Sequence, residues 1–419
     1  MSGDEVLVTI TNKVALVTLN RPKVLNAVNQ AIVEHLLIHM TDWNMPDSNV
    51  DCIIVQGAGG KAFSAGGDVK DCVLKSRSGD TAGPLAFFRA EYTANRVIAE
   101  SHVPYIALID NIVMGGGVGL SVHGHFRVAT ERTVFAMPEV SIGLFPDIGA
   151  SHFLHRLTGH LGRYLAITGA RLSGPEVKES GLATHLLPSS SLPELIRRIQ
   201  SLPPGRAADL AVLADVLDSM ELEFPMPASS QSVDPMSDRG FFGSDLSWKL
   251  PLINQHFSVS SVAAVLDSLE AAIADTALAA ADPRGHTFLK DTLNLLRKSS
   301  ALSQRVAWEG LLRGRHATLA STLESEYQMT HKFVHNHGDF WEGVRAVLID
   351  KDNKPMWKYA SARDVPDAVV DAFFFPIPGV SLFSDTAPMP PVHQRHLHPV
   401  RSYSSIQAPS AAATAAAAR

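Results

Sequence analysis

Two glycine-rich clusters, each directly after a buried strand, constrain the fold of this chain most strongly. The apolar run at 51–55 leads into glycines at 57–60 and then into Phe-Ser-Ala-Gly-Gly-Asp at 63–68. A second apolar run, at 105–109, leads into Met-Gly-Gly-Gly at 114–117, where a helix begins. Glycines let the backbone bend sharply, and the first turn of a helix leaves unpaired N–H donors. The two clusters therefore predict a pair of backbone donors for an oxyanion.

Strands and helices follow one another in a ββα pattern along the first half of the chain. Residues 5–20 read as two strands, because apolar and β-branched residues alternate with polar ones. The spacing of apolar residues predicts helices over 28–43 and 84–100, and strands follow at 126–130 and 133–137. The strands of each pair lie too close together for regular βαβ units. We therefore predict an α/β fold built from repeated ββα turns.

The same reading divides the chain into four parts. The ββα core with the active site spans 1–202, and a Pro/Ser/Gly-rich loop or linker spans 203–250. Apolar residues at helical spacing predict a helical C-terminal region over 251–384. The tail at 385–419 is expected to be disordered, because its Pro and Ala runs offer almost nothing to bury.

Charge and hydropathy exclude several classes of partner. The chain has 36 Lys and Arg against 42 Asp and Glu, which gives a net charge of −6, and no region is strongly basic. A surface that binds duplex nucleic acid needs a basic face, so we expect no nucleic acid partner. No apolar run approaches the ~20 residues that cross a bilayer, so we also expect a soluble chain with no membrane partner.

The cysteines and the first residues bear on the compartment. Cys52 and Cys72 are too few for a disulfide framework, which suits a reducing compartment. The opening residues include Asp4 and Glu5, hold no Arg and run at once into a strand. They have the pattern of neither a signal peptide nor a transit peptide. Whether a further segment precedes them is left open.

Three carboxylates lie close to the glycine clusters in sequence. Glu139 follows a proline at the end of a strand, and Asp147 follows another proline among apolar residues. Glu91 lies in the helix predicted over 84–100. A carboxylate in an apolar loop costs free energy unless it is paired or functional. The residues alone also allow a structural interpretation, with Asp147 as a helix cap and Glu91 in a surface salt bridge.

Five segments together resemble one known family. They are NRPKVLNA at 20–27, GGKAFSAGGDV at 59–69, MGGGVGLSVHG at 114–124, AMPEVSIGLFPDIGASHFL at 136–154 and GDFWEGVRAVLIDKDNKPMWK at 338–358. The chain resembles the crotonase (enoyl-CoA hydratase/isomerase) superfamily, and within it the hydrolase branch that acts on 3-hydroxyisobutyryl-CoA in valine breakdown. The resemblance runs from about residue 5 to about residue 375.

The resemblance implies a crotonase-like spiral of ββα turns with an oxyanion hole. Gly67 and Gly116 occupy the two family positions whose N–H groups form that hole. Hydratases of this superfamily use two glutamates; the second is present as Glu139, but the first position holds Gly119. Asp147 stands where hydratases usually carry glycine. The resemblance therefore implies an acyl-CoA thioester hydrolase.

Roles for the site residues follow from the same resemblance. Glu139 acts as general base or attacks the carbonyl to form an anhydride, and Asp147 orients Glu139, shares a proton with it or protonates the departing thiolate. Glu91 is expected to hydrogen-bond the 3-hydroxyl group or the catalytic water. The expected substrate-binding residues are Glu91, Gly116, Glu139 and Asp147.

An acyl-CoA substrate brings its own phosphates. We expect no metal and no cofactor, since coenzyme A is part of the substrate and of the product. In family terms, Lys23, Lys61 and Lys70 flank the loops that receive coenzyme A, although each is more often a solvated surface lysine. The oligomeric state is not evident from the sequence.

Two other functions and several compartments stay open. One alternative is an enoyl-CoA hydratase or isomerase of the same superfamily, against which Gly119 argues. The other is a non-catalytic scaffold subunit with the same fold, which would be free to lose its site residues. The resemblance implies a mitochondrial location; the sequence shows no targeting signal, so a peroxisome or the cytosol is not excluded.

Overall fold

Residues 5–224, 245–336 and 338–383 are described by the structure, which is a computed structural model. All of them belong to one compact unit. The tail expected at 385–419 lies outside the described residues. The strands are β1 (Val6–Thr11), β2 (Val14–Leu19), β3 (Cys52–Gly57), β4 (Ala62–Ser64), β5 (Tyr105–Ile109), β6 (Ile112–Met114), β7 (Phe126–Ala129), β8 (Val134–Ala136), β9 (Leu172–Ser173) and β10 (His185–Leu186).

Helices follow most pairs of strands and make up nearly all of the C-terminal half. They are α1 (Gln30–Trp43), α2 (Val69–Arg77), α3 (Ala82–Ala99), α4 (Gly116–Val122), α5 (Ala150–Phe153), α6 (Leu161–Thr168), α7 (Gly174–Glu179), α8 (Leu192–Gln200), α9 (Leu210–Glu223), α10 (Leu246–Phe257), α11 (Val262–Ala274), α12 (Thr276–Ala281), α13 (Pro283–Lys298), α14 (Ala301–Gly314), α15 (Leu319–His335), α16 (Asp339–Val344) and α17 (Asp367–Asp371).

The strands form two sheets that share the turns of one spiral. The larger sheet has the order β1-β2-β3-β5-β7-β10, and the smaller one has the order β4-β6-β8-β9. Strands β2, β3, β5, β7 and β10 run parallel, and β1 is antiparallel to β2. Each turn places one strand in the larger sheet and the next in the smaller sheet, as β3 and β4, β5 and β6, and β7 and β8 do. This order confirms the predicted α/β spiral and explains the short spacing between paired strands.

The hydrophobic core lies on one face of the larger sheet. Ile54 of β3 and Ile106 of β5 are fully buried there against Leu195 of α8 and against Leu213 and Leu217 of α9. The central parallel strands are nearly continuous apolar runs because both of their faces are covered.

The predicted loop over 203–250 has to be corrected at both ends. Helix α9 begins at Leu210, and α10 begins at Leu246. Leu213, Leu217 and Met220 lie one turn apart along α9, so packing against the sheet decides the conformation of this stretch. Residues 225–244 lie outside the described residues.

The helical C-terminal region covers the core on the side of α3. Helix α15 packs against α3, and α14 packs against α5 and α6. As a result α3, which also packs against α1 and α2, is buried along most of its length. This packing places the carboxylate of Glu91, on α3, in an interior that solvent does not reach.

Among the helices that the structure describes, none is by itself long and apolar enough to cross a membrane, and only the bent pair α10–α11 meets the length and composition criteria jointly.

Candidate active site

The two glycine clusters meet where β4 and β6 of the smaller sheet end. A Cβ atom on Gly117 would lie only 2.6 Å from the carbonyl oxygen of Ser64, so the two turns pack backbone against backbone. Gly66 and Gly115 also have positive φ angles, of 106° and 47°. Only glycine takes up such a backbone at so close an approach without strain. The glycines therefore allow the two turns to pack this closely.

The amide groups of Gly67 and Gly116 lie at this contact. A Cβ atom on Gly116 would lie 3.0 Å from the amide nitrogen of Gly67. Gly116 is the first residue of α4, and the helix itself offers no acceptor for its N–H group. Neither amide donates a hydrogen bond within the part of the chain that the structure describes. The geometry thus presents two adjacent, unused backbone donors.

Glu91 of α3 reaches the same glycines from the opposite side. Its side chain is 2% exposed, and its Oε1 atom has no hydrogen-bond partner among the described residues. A side chain at Gly116 would overlap that oxygen, and a Cβ atom on Gly67 would lie 3.7 Å from it. Glu91 is therefore a buried residue of the site, and its interpretation as part of a surface salt bridge is wrong.

Glu139 approaches from a short 3-10 helix, Glu139–Ile142, that follows β8. Its side chain is 4% exposed. Oε1 lies 2.7 Å from the position of a Cβ atom on Gly115, and Oε2 has no partner within the described residues. The Gly115–Gly116 turn is thus flanked by Glu139 on one side and Glu91 on the other.

Asp147 completes the set that the sequence predicted. It is 4% exposed, and its Oδ2 atom accepts a 2.7 Å hydrogen bond from the hydroxyl group of Tyr92. Helix α5 has Gly149 at its N-cap and no side-chain cap. The interpretation of Asp147 as a helix cap is therefore wrong, because its carboxylate binds a side chain of α3.

Tyr92 and Glu326 are among the residues of this site that sequence reasoning missed. Tyr92 follows Glu91, and Glu326 of α15 is fully buried and accepts hydrogen bonds from the amides of Gly149 at 2.6 Å and Ser151 at 3.2 Å. A signal for Glu326 exists in the sequence: it lies at helical spacing between Leu323 and Thr330, on the apolar face of its helix. Its distance of about 180 residues along the chain from Asp147 hid the contact.

Four carboxyl groups of this site are buried, and burial raises their pKa values: those of Glu91, Glu139, Asp147 and Glu326. Desolvation, followed by repulsion from Asp147, holds the pKa values of Glu91 and Glu139 well above their usual range. Desolvation raises the pKa of Asp147 to about 6, against the opposing hydrogen bond from Tyr92, and that of Glu326 to about 8. No Lys or Arg among the described residues forms an ion pair with any of the four.

Asn95 fills the space beside Gly119. A Cβ atom on Gly119 would lie 2.7 Å from Nδ2 of Asn95 and 3.0 Å from Cβ of Ile148. Asn95 is fully buried, one helical turn after Glu91, and its amide has no hydrogen-bond partner within the described residues. The position that carries the first hydratase glutamate therefore has no room for a side chain in this structure.

A cavity of about 250 Å³ lies next to the glycine turns. Phe87 lines it, and the edge of the Phe87 ring would lie 3.2 Å from a Cβ atom on Gly67. Cys72, Lys75 and Asn29 also line this cavity. Phe87 therefore borders both this cavity and Gly67.

The three lysines named for coenzyme A are exposed. Lys23 and Lys61 lie on two neighbouring turns, and Lys70 lies in the first turn of α2. Their contact with the phosphates stays a prediction. No group of three or more His, Cys, Asp or Glu side chains in the described ranges is arranged to hold a metal ion.

Comparison with known proteins decides the family. Residues 14–374 match the family model described as enoyl-CoA hydratase/isomerase. The chain belongs to the enoyl-CoA hydratase/isomerase family. The resemblance carried by the five sequence segments is thereby confirmed.

Curated relatives in this family carry a hydrolase name. The chain is 40% identical over 370 residues to the mitochondrial 3-hydroxyisobutyryl-CoA hydrolase of Rattus norvegicus, which covers 88% of each chain. It is 37% identical over 373 residues to the human protein of the same name, which covers 89% of each.

Solved structures of the family share the whole fold. An enoyl-CoA hydratase from Rhodobacter sphaeroides superposes with a TM-score of 0.75 at 29% identity, over 90% of this chain and 99% of its own. A carnitinyl-CoA dehydratase from Mycobacterium thermoresistibile gives a TM-score of 0.75 at 30% identity, over 92% and 100%. The C-terminal helices therefore belong to the shared fold.

A substitution at Gly119 tests the packing against Asn95. We expect Gly119→Ala to lower the free energy of unfolding by about 1–3 kcal/mol, because the new methyl group meets Asn95 and Ile148 in a closed site. Chemical denaturation measures this change. Gly310→Ala is the matched control, since a Cβ atom there meets only the Ser151 hydroxyl oxygen, at 3.1 Å. Equal stability of the Gly119→Ala variant and the wild type would contradict the packing described here.

Proposed function

We propose that this chain hydrolyses acyl-CoA thioesters, with 3-hydroxyisobutyryl-CoA as substrate and 3-hydroxyisobutyrate and free coenzyme A as products. The observation that carries the proposal is the burial of Glu139 and Asp147 within electrostatic reach of each other, together with a Gly119 position that Asn95 closes to a second glutamate. The names of the curated relatives support the same substrate. Those relatives are also named mitochondrial, which supports a mitochondrial location for this chain.

The thioester carbonyl would lie against the amides of Gly67 and Gly116. Both amides lack another acceptor among the described residues, and their turns are held together by close packing. Donors that are already in place cost no reorganisation when negative charge develops on the oxygen, and one such donor typically contributes about 2.7–4 kcal/mol to transition-state stabilisation. In this proposal the substrate would approach from the side of the cavity that Phe87 lines.

Glu139 and Asp147 would work as a pair that holds one proton. The lower pKa of Asp147 and the raised pKa of Glu139 describe a pair that loses its two protons in separate steps. In the singly protonated pair the proton rests mainly on Glu139, and its transfer to Asp147 frees Glu139 to take a proton from water or to attack the carbonyl carbon. The C–S bond then breaks, and the departing thiolate receives the proton from Asp147. Water either attacks the thioester carbonyl directly or, in the second route, hydrolyses the anhydride and frees Glu139, so that in both routes one water is consumed and an acid and a thiol are formed.

Glu91 would bind the acyl group or the water. Its unpaired Oε1 lies beside both glycines, and its raised pKa favours the protonated carboxyl group, which donates a hydrogen bond. A 3-hydroxyl group on the acyl chain and the attacking water are both partners that such a carboxyl group accommodates.

A hydratase is the second candidate, because the two superposed structures carry the names of a hydratase and a dehydratase. Addition of water to a C=C bond in this superfamily uses two glutamates, and the closed space at Gly119 disfavours the first. The chain therefore lacks one of the two groups on which the family's hydratases depend.

The first experiment compares two substrates. We expect the purified protein to release thiol from 3-hydroxyisobutyryl-CoA, followed with a thiol reagent, and to leave the enoyl absorbance of crotonyl-CoA unchanged. Loss of enoyl absorbance without thiol release would establish the hydratase instead. No reaction with either substrate would contradict both proposals and favour a scaffold.

Removal of the charge on Glu139 tests its role. We expect Glu139→Gln to lower kcat by about 10²–10⁴-fold, because the amide can neither remove a proton nor attack the thioester. The melting temperature should be unchanged, since the variant replaces a buried carboxyl group that has an unpaired oxygen. Glu176→Gln is the control: Glu176 is an equally buried glutamate that caps α7 and binds Lys249, so its loss should affect stability and spare kcat. A Glu139→Gln variant with near-native kcat would refute this mechanism.

The pH profile tests the shared proton. We expect kcat to rise with pH through about 6, where the pair loses its first proton and Asp147 first ionises, and to fall at higher pH when Glu139 loses the second. Asp147→Asn should cut kcat strongly and remove the limb near pH 6. Asp339→Asn, at a buried aspartate that binds Ser300, should leave the profile unchanged. An unaltered acid limb in Asp147→Asn would exclude Asp147 from the pair.

A further inference from the structure

The backbone after Asp147 is held in a conformation that it would not adopt by itself. Ile148 has a φ angle of 57°, and Gly149 follows with a φ angle of 85°. A β-branched residue at positive φ is strained, because its side chain crowds its own backbone. Such a conformation persists only where surrounding contacts impose it. The loop that carries Asp147 therefore depends on its neighbours.

Glu326 supplies contacts on the C-terminal side of this strained residue. Its two carboxylate oxygens accept the amides of Gly149 and Ser151, at 2.6 Å and 3.2 Å. On the other side of the loop, Nε2 of His123 lies 2.8 Å from the carbonyl oxygen of Ile148. Contacts from α15 and from the end of α4 thus hold the backbone at and after Ile148.

Thr330 supplies a second contact from the same helix, one turn after Glu326. Its hydroxyl oxygen lies 2.7 Å from the hydroxyl oxygen of Tyr92, which donates its single proton to Asp147. A tyrosine hydroxyl group has one proton to donate, so Thr330 is the donor in the bond to Tyr92. The order of donation is therefore Thr330 to Tyr92 to the carboxylate of Asp147.

Helix α15 lies in the C-terminal region, far from Asp147 along the chain, and packs against α3, which carries Tyr92. We infer that α15 positions Asp147 at two points: Glu326 holds the backbone that follows it, and Thr330 orients the Tyr92 hydroxyl group that binds its carboxylate. This inference rests on the proposed function, because it assigns Glu326 and Thr330 to the same hydrolysis as positioning residues.

Titratable groups from several elements face Glu326. Asp147 of the strained loop, Tyr92 of α3 and Glu139 of the 3-10 helix all interact with it electrostatically. A change of charge at Glu326 therefore acts on more than one group, whereas a change at Thr330 acts on Asp147 through Tyr92. For this reason we measure the pH profile in variants of the uncharged residue Thr330. In the Glu326 variant we measure backbone hydrogen exchange instead.

The Thr330 arm is tested by Thr330→Val, which keeps the shape of the side chain and removes the donor. We expect kcat to fall about tenfold with KM within threefold, and the acid limb of the profile to move to higher pH. The direction follows because a hydrogen bond to the charged form lowers the pKa of Asp147, and Tyr92 donates less strongly once Thr330 no longer polarises it.

Two further variants separate positioning from packing. Thr330→Ser keeps the hydroxyl group and should restore both kcat and the acid limb. Thr322→Val removes another buried hydroxyl group of α15, one without a hydrogen-bond partner in the described residues, and should change neither. If Thr330→Val had the wild-type profile and kcat, or if Thr330→Ser matched Thr330→Val, the Thr330 arm would be overturned.

The Glu326 arm is tested by Glu326→Gln, because an amide side chain has a single acceptor oxygen for two backbone donors. We expect hydrogen–deuterium exchange over residues 147–151 to become at least tenfold faster and kcat to fall. Glu324→Gln is the matched control, since Glu324 on the same helix accepts the amide of Leu382 instead. Unchanged exchange over 147–151 in Glu326→Gln would overturn this arm.

The exchange measurement does not depend on turnover. If the wild-type protein released no thiol from 3-hydroxyisobutyryl-CoA, the proposed function would fail. Even then, faster exchange over 147–151 in Glu326→Gln would support the inference that α15 holds this loop in place, and unchanged exchange would refute it. The two failures are therefore distinguishable.

Discussion

The burial of four carboxyl groups within electrostatic reach of one another is the constraint on which the rest of this site depends. Within the described residues no cation pairs with them, so each raises the cost of ionising its neighbours. Tyr92 donates a hydrogen bond to Asp147, and backbone amides donate hydrogen bonds to Glu326. Glu91 and Glu139 each keep an oxygen without a partner among those residues, next to two backbone donors that are also unused. The arrangement costs stability and leaves free the groups that a thioester would need.

The spiral makes this cluster possible by bringing successive turns to one place. Because each turn sends one strand to each sheet, the ends of β4, β6 and β8 lie side by side in the smaller sheet. These ends carry the Gly66–Gly67 turn, the Gly115–Gly117 turn and Glu139. The glycines are needed where backbones meet, and α3 and α15 close the cluster from the side where solvent would otherwise enter.

Our proposal of a hydrolase rather than a hydratase uses one closed space. In this chain the amide of Asn95 and the side chain of Ile148 occupy the room beside Gly119, and Ile148 follows Asp147 directly. Asp147 and one of the two side chains that close this space, Ile148, are therefore neighbours in one loop, whereas Asn95 lies on α3. Neither feature is a matter of fold, since the superposed hydratase and dehydratase share the whole architecture.

Much was determined by the sequence alone. The ββα spiral and the paired glycine turns follow from local patterns, namely strand alternation and glycine spacing. Glu91, Glu139 and Asp147 were predicted as site residues by the family resemblance, because the residues alone also allowed structural roles for Glu91 and Asp147. Helix α9 was not predicted, because Pro-Pro-Gly at 203–205 indicated a loop. The helical spacing of the apolar residues that follow, Leu213, Leu217 and Met220, was given less weight. Only the tertiary structure decided that Asp147 binds Tyr92, that Asn95 closes the space at Gly119, and that Glu326 and Thr330 of α15 reach the site. These contacts join residues far apart in the chain, and their energy comes from packing and burial, which a local pattern does not encode.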